Sequence, residues 1–348
     1  MSAPFGTPRP LAGSVVVVTG ASSGIGRATA VAFARRGAFV ILAARREEAL
    51  RAAAAECDRV GGRGRAVVAD VTDQAATRRL TEEAIAWRGR IDTWVNNAGV
   101  TLFGPFTEAP LDAQRRVIET NLLGTMYGAQ AVLARFVEQR SGVLINHASM
   151  DGWIAPIHSA AYAASKFGVV ALGQSLRQEF RHFPEIHICT VCPAFADTPL
   201  FQHAANYTGQ AVKPVPPVYD PERIADAIVR LAVWPRPEIA ATPVARLAKM
   251  QHALAPESTE RLLSWWVSRE LVQARAAPPT KGALFEPMEE GTAIRGGWRA
   301  QGDGASGRAW LALGMLGAAA LAFAIQAGYG MIKRAAPPFG LRPPVERS

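Results

Sequence analysis

A phenol and an ammonium stand four residues apart in SAAYAASKFG, residues 159–168, with only alanine and serine between them. On a helix, positions i and i+4 share a face. A free phenol titrates near pH 10 and is a poor base at neutral pH. A neighbouring ammonium favours the phenolate and brings it toward the working range. Tyr162 and Lys166 are therefore a candidate acid/base pair. The small residues Ala161, Ala163, Ala164 and Ser165 leave room for a cofactor and a substrate to come close. The plainer alternative is a surface tyrosine and lysine on an ordinary helix.

A second constellation lies near the N-terminus. TGASSGIG, residues 19–26, follows the β-branched run Val15, Val16, Val17, Val18 and opens a segment of helical character. In that context Gly20, Ser22, Ser23, Gly24, Ile25 and Gly26 suit a pyrophosphate. Glycines let the backbone approach it, and the free N–H groups and dipole of a helix start favour anions. The end of the next strand reads ILAARREE. An acid there would accept hydrogen bonds from the adenosine ribose of NAD. Ala44 holds that place, followed by Arg45 and Arg46, and a guanidinium suits a 2′-phosphate. This pattern points to NADP(H) rather than NAD, unless the two arginines only begin a solvated helix.

These groups need a scaffold. Strands are expected over residues 15–18, 39–43, 65–69, 92–95, 142–146 and 186–191, separated by helices over 27–36, 47–60, 73–88, roughly 110–140 and 160–182. Such alternation argues an α/β fold with a parallel, doubly wound sheet. Residues 193–219 are Pro-rich with few regular signals, which suggests a functional loop or lid. Asp220-Pro221-Glu222 starts a helix to about Val233, and a short strand over 238–241 could finish the sheet. Residues 244–275 read as two amphipathic helices broken at Pro256. Trp265 and Trp266 in the second could dip into a bilayer interface, although packing over the catalytic domain is preferred.

Taken in order, TGASSGIG, ILAARR, NNAG (residues 96–99), Asn121, Ser149 and YAASK resemble the short-chain dehydrogenase/reductase family, in its branch of NADP-preferring domains of about 250 residues. The resemblance covers about residues 12–242. It implies a Rossmann-type sheet, with Tyr162 as general acid/base and Lys166 lowering its pKa and holding the nicotinamide ribose. It further implies that Ser149 bonds the substrate carbonyl and Asn121 positions a water in a proton relay. Asp70 and Val71 would meet the adenine, and Asn97, Ala98 and Gly99 would line the cofactor cleft. Pro193 and Thr198 match the ends of a P-G-x-x-x-T motif that secures the nicotinamide amide, but Ala194 replaces its glycine. A homodimer or homotetramer through helices near 125–140 and 160–182 is also implied.

The remaining features bound the reading. The 348 residues carry a net charge of +9 from scattered arginines, with no basic run that would suit nucleic acid. Cys189 and Cys192 form a C-x-x-C, but i and i+3 of a strand point to opposite faces, so neither metal nor redox chemistry is expected. His147 is expected to have a local structural role, and Asp151 and His158 to line the substrate pocket. Trp310 to Ile332 is a run of 23 residues without a formal charge. As a helix it would reach about 35 Å against roughly 30 Å of hydrocarbon. It reads as a single-pass C-terminal anchor in membrane lipid, with a buried or dimer-contact helix as the alternative. The expected organisation is a flexible N-terminus (1–13), a Rossmann catalytic domain (14–242), an amphipathic helical extension (243–275), a Gly/Pro-rich linker (276–308), a transmembrane helix (309–333) and a tail (334–348). The catalytic part is placed in the cytoplasm, where NADP(H) is. The expected activity interconverts a carbonyl and an alcohol on a hydrophobic, lipid-like substrate. A membrane-tethered NADPH sensor without turnover is the alternative, disfavoured by the complete Asn121, Ser149, Tyr162, Lys166 set.

Overall fold

Val15 to Val18 are buried to within 1% because the strand they form has neighbours on both sides and helices on both faces. The computed structural model describes residues 9–300. Along the chain, β1 (Val15–Thr19), α1 (Gly24–Ala34), β2 (Phe39–Ala44), α2 (Glu47–Arg59), β3 (Arg63–Val68), α3 (Gln74–Arg88) and β4 (Thr93–Asn96) alternate without interruption. After β5 (Leu102–Phe103), α4 (Leu111–Ile118) passes through a π-helical turn (Glu119–Leu123) into α5 (Gly124–Gln139). Then come β6 (Gly142–His147), α6 (Ala160–Glu179), β7 (Ile186–Cys192), β8 (Ala205–Asn206) and β9 (Gln210–Val212). The described chain closes with α7 (Pro221–Val233), β10 (Glu238–Ala240), α8 (Pro243–Leu254), α9 (Pro256–Glu270) and β11 (Val272–Ala276).

Seven strands form one parallel sheet in the order β10-β7-β6-β4-β1-β2-β3. The strand order reverses between β1 and β4. In open sheets of this kind ligands bind beyond the carboxyl ends of the strands at that point. One face is packed by α1, α2 and α7 through Phe33, Leu50 and Ile228, and the other by α3 and α5 through Leu80 and Phe136. Cys189 lies in the first cluster, and Cys192 packs with Ala148, Val169 and Val170 in another. The strand separates the two thiols as its pleat requires. Burial pushes the Cys189 thiol up to about 12.

Three expectations need correction. Residues 9–13 are not loose: Arg9 pairs with Glu185 at 3.2 Å and Leu11 is buried. The helical extension contains α8 and α9 as read, but ends in β11, which pairs antiparallel with β9. Leu263 and Val267 of α9, with Leu271 just after it, join Phe201, Met150 and Ile154 in a shared core; Trp266 packs against it while Trp265 stays exposed. Most consequential, residues 276–300 are not a linker but lie along the catalytic domain. Among the described residues no helix is long and apolar enough to cross a membrane. The span expected over 309–333 lies outside the described residues.

Candidate active site

Ser149 follows β6, where the strand gives way to a short 3-10 turn (Met150–Gly152), and its Oγ accepts the Asp151 N–H at 3.1 Å. Its hydroxyl is also in hydrogen-bond reach of the Tyr162 phenol. Tyr162 and Lys166 share one face of α6, and Lys166 Nζ lies 5.6 Å from the centre of the Tyr162 ring. Lys166 Nζ donates to the His147 carbonyl at 2.8 Å. His147 Nδ1 lies 2.9 Å from Asn97 Oδ1. Burial, together with the Lys166 charge, pulls the His147 imidazole down to about 3, so the ring is neutral and structural, as read.

Burial pushes the Tyr162 phenol above its ordinary value, and the Asp151 carboxyl adds to that; the bond to Ser149 opposes it. Lys166 is shifted the other way. Burial disfavours its own charge and lowers it to about 8, and its Nζ is directed to a carbonyl. Burial thus favours the neutral phenol of Tyr162.

Asn121 sits in the π-helical turn, where an extra residue in the helical ladder reorients a carbonyl and side chain. Its Oδ1 accepts the Val100 N–H at 2.8 Å, and its Nδ2 donates to Val100 O and Ser165 Oγ, both at 3.0 Å. The side chain therefore ties β4's exit to α6 and is fully buried.

The glycine turn fits a dinucleotide. Gly20 and Gly24 have positive φ, and a Cβ on Gly20 would stand 2.7 Å from Ala98 Cα. One on Gly26 would stand 2.2 Å from Gly20 O, so only glycine lets β1 and α1 approach this closely. Gly20, Ser22, Ser23, Gly24, Ile25, Gly26, Asp70, Val71, Asn97, Ala98, Gly99, Pro193 and Thr198 all line one cleft of about 260 Å³ with Ser149, Tyr162 and Lys166. Asn97 closes the floor, donating to Thr19 O at 2.9 Å. Burial would raise the Asp70 carboxyl, but bonds from Thr72 and the Arg116 charge outweigh it and hold it below the usual range. Arg116, with Nη2 at 3.0 Å from Asp70, had no signal in the sequence. Ala194, where the motif has glycine, donates its N–H to Thr242 Oγ1 at 3.2 Å.

Residues 276–300 form a strap along the rim of this cleft. Thr280 pairs with Asn206, and Leu284 is fully buried against the cluster holding Val100 and Val117. Arg45 donates to Ala283 O at 2.6 Å and Phe285 O at 2.8 Å. Arg46 donates to Met288 O at 3.0 Å and Glu290 O at 2.9 Å, and its Nη2 to Ser22 Oγ at 3.1 Å and Ser23 Oγ at 2.8 Å. Further along, Ala293 O accepts the Gly24 N–H at 3.0 Å at the start of α1. Arg295 pairs with Glu222 at 2.8 Å, and Trp298 donates to Thr198 O at 2.9 Å. The two arginines expected to face a 2′-phosphate thus differ. Arg45 is turned wholly to the strap, whereas Arg46 bridges the strap and the glycine-turn hydroxyls.

A doubly wound sheet with a glycine turn at its switch point and Ser149, Tyr162 and Lys166 gathered beside it defines a nucleotide-dependent oxidoreductase site. Residues 14–207 match the family described as short chain dehydrogenase, and the chain belongs to it. An uncharacterized oxidoreductase of Bacillus subtilis, YxnA, is 35% identical over 252 residues, covering 72% of this chain and 71% of that protein. The 1-deoxy-11-beta-hydroxypentalenate dehydrogenase of Streptomyces exfoliatus is 41% identical over 53% of this chain and 68% of its own length. Among solved structures, a metagenomic short-chain oxidoreductase in complex with NADP aligns with a TM-score of 0.57 at 30% identity, covering 67% of this chain and 98% of that one.

Proposed function

We propose that the protein is an NADP-dependent oxidoreductase that interconverts a carbonyl and an alcohol on a hydrophobic substrate, with Tyr162 as the general acid/base. The observation that carries this is the meeting of Ser149, Tyr162 and Lys166 with the glycine turn in one cleft. NADP(H) supplies or takes the hydride. In reduction, the Ser149 hydroxyl donates to the substrate oxygen and fixes the carbonyl beside Tyr162. The Tyr162 phenol then gives its proton to the oxygen as negative charge develops there. Lys166, near its own titration point, stabilises the phenolate left behind and helps it regain a proton. The neutral phenol favoured by burial is the form that reduction needs.

Support for NADP comes from Arg46 beside Ser22 and Ser23, and from the solved relative crystallised with NADP. Support for an apolar substrate comes from the far half of the cleft, lined by Phe103, Met150, Ile157, Phe195, Phe201 and Leu271. The exposed apolar side chains Met126 and Val137 on α5 and Phe167 on α6 suit a homodimer or homotetramer through these helices. The test is NADPH oxidation across polar and long-chain ketones. Tyr162→Phe should lose at least about a thousandfold in kcat while binding NADPH normally. Turnover retained in that variant would remove Tyr162 from the mechanism.

A further inference from the structure

Among the described residues, several carboxyls that are at least half-buried have partners. Asp70 accepts from Thr72 and Arg116, Asp92 from the Val15 N–H at 2.8 Å, and Asp197 from the Trp298 N–H at 2.8 Å. The Asp151 side chain has no such partner. It is 8% exposed and lines the cleft, yet its only hydrogen bond among the described residues is made by its backbone N–H, to Ser149 Oγ. Lys166, the cation that acts on it, has its Nζ at the His147 carbonyl. The turn that carries Asp151 cannot recede, because a Cβ on the next residue, Gly152, would meet Lys166 O at 2.8 Å. Ser159, which precedes α6 and lines the same cleft, has a buried hydroxyl without a partner. The Asp151 carboxyl faces the cleft, where a bound group of opposite charge can pair with it.

We propose that Asp151 is a substrate-recognition residue that takes the ammonium of an apolar amino ketone or amino alcohol. The proposal rests on the carbonyl–alcohol reading of this site and names its substrate class. Asp151 lies two residues from Ser149, so the amine belongs on a carbon close to the reacting one. The surrounding wall of Met150, Ile157, Phe195 and Phe201 suits an alkyl or terpenoid body. An ammonium compensates a buried negative charge as a hydroxyl does not, and an anionic substrate would be repelled. Charge pairing also relieves a conflict in the site. An ionised Asp151 keeps the Tyr162 phenol from ionising, which hinders it as a base in alcohol oxidation. A substrate ammonium on Asp151 cancels that charge at the moment the substrate is seated.

The experiment compares an α-amino dodecanone with plain dodecanone, using the full chain with NADPH, in wild type and Asp151→Asn. Wild type should prefer the amino ketone by at least about tenfold in kcat/KM, and the variant should lose that preference, read as the ratio of the two ketones within each protein. Equal use of both ketones by wild type, or a preference that survives in the variant, overturns the proposal. Binding of dodecylamine to the NADPH-loaded protein, read by tryptophan fluorescence, decides the matter without turnover. A dissociation constant raised about tenfold in Asp151→Asn supports the assignment, and an unchanged one overturns it. If neither ketone is reduced but the amine binds through Asp151, the carbonyl–alcohol reading fails while the ammonium site stands.

Discussion

Arg45 and Arg46 are adjacent, alike in charge and equally suggestive in sequence, yet their surroundings give them different work. Burial lowers both guanidiniums, and each is held by backbone carbonyls of the strap. Only Arg46 also touches Ser22 and Ser23, the hydroxyls of the glycine turn. A charge-assisted bond to a phosphate contributes about 1.5–3 kcal/mol, so Arg46→Ala should weaken NADPH binding by roughly ten- to a hundredfold and leave NADH within about twofold. Arg45→Ala should instead disturb the strap and weaken both cofactors alike. Titrations of each variant with both dinucleotides separate the two roles. NADPH and NADH weakened equally by Arg46→Ala would remove the 2′-phosphate assignment.

At the scale of elements, the strap is the feature that sequence patterning did not announce. Its contacts include backbone carbonyls offered to arginines, one buried leucine, one tryptophan and the Arg295–Glu222 ion pair, and none of these has a period. Its path depends on glycines. Gly291 has positive φ, and a Cβ there would stand 2.4 Å from His203 Nε2. Gly291→Val should therefore unseat the middle of the strap without touching the catalytic residues. Because the strap walls the cleft at Ala283, Pro287 and Met288, cofactor association and release measured by stopped flow should both accelerate, by about tenfold. Unchanged rates would mean that the strap stays aside during exchange.

For the whole molecule, the strap changes what the C-terminal tail means. The chain leaves the described region at residue 300, at the rim of the cofactor cleft, with Trp298 held by Asp197 and Thr198. We propose that residues 310–332 anchor the protein in membrane lipid with the catalytic part in the cytoplasm, which would hold the cleft near the surface where apolar substrates partition. The full chain should then stay in the membrane pellet through alkaline carbonate, and a chain ending at residue 308 should be released. Release of the intact chain would refute the anchor.

The sequence alone determined the alternating strands and helices, the glycine turn and the Tyr162–Lys166 spacing. Each is local: a period, a turn that only glycine permits, or a helical repeat that puts two side chains on one face. The tertiary structure decided what depends on neighbours distant in the chain. It brought Leu284 and Glu290 onto Arg45 and Arg46, paired Arg116 with Asp70, and left Asp151 in an apolar wall without a partner. It also set the Tyr162 phenol above its ordinary value, through burial and the Asp151 carboxyl. Spacing gives proximity, but the ionisation of a buried pair is set by desolvation and by where each polar head finds its nearest partner, and both are properties of the packed molecule.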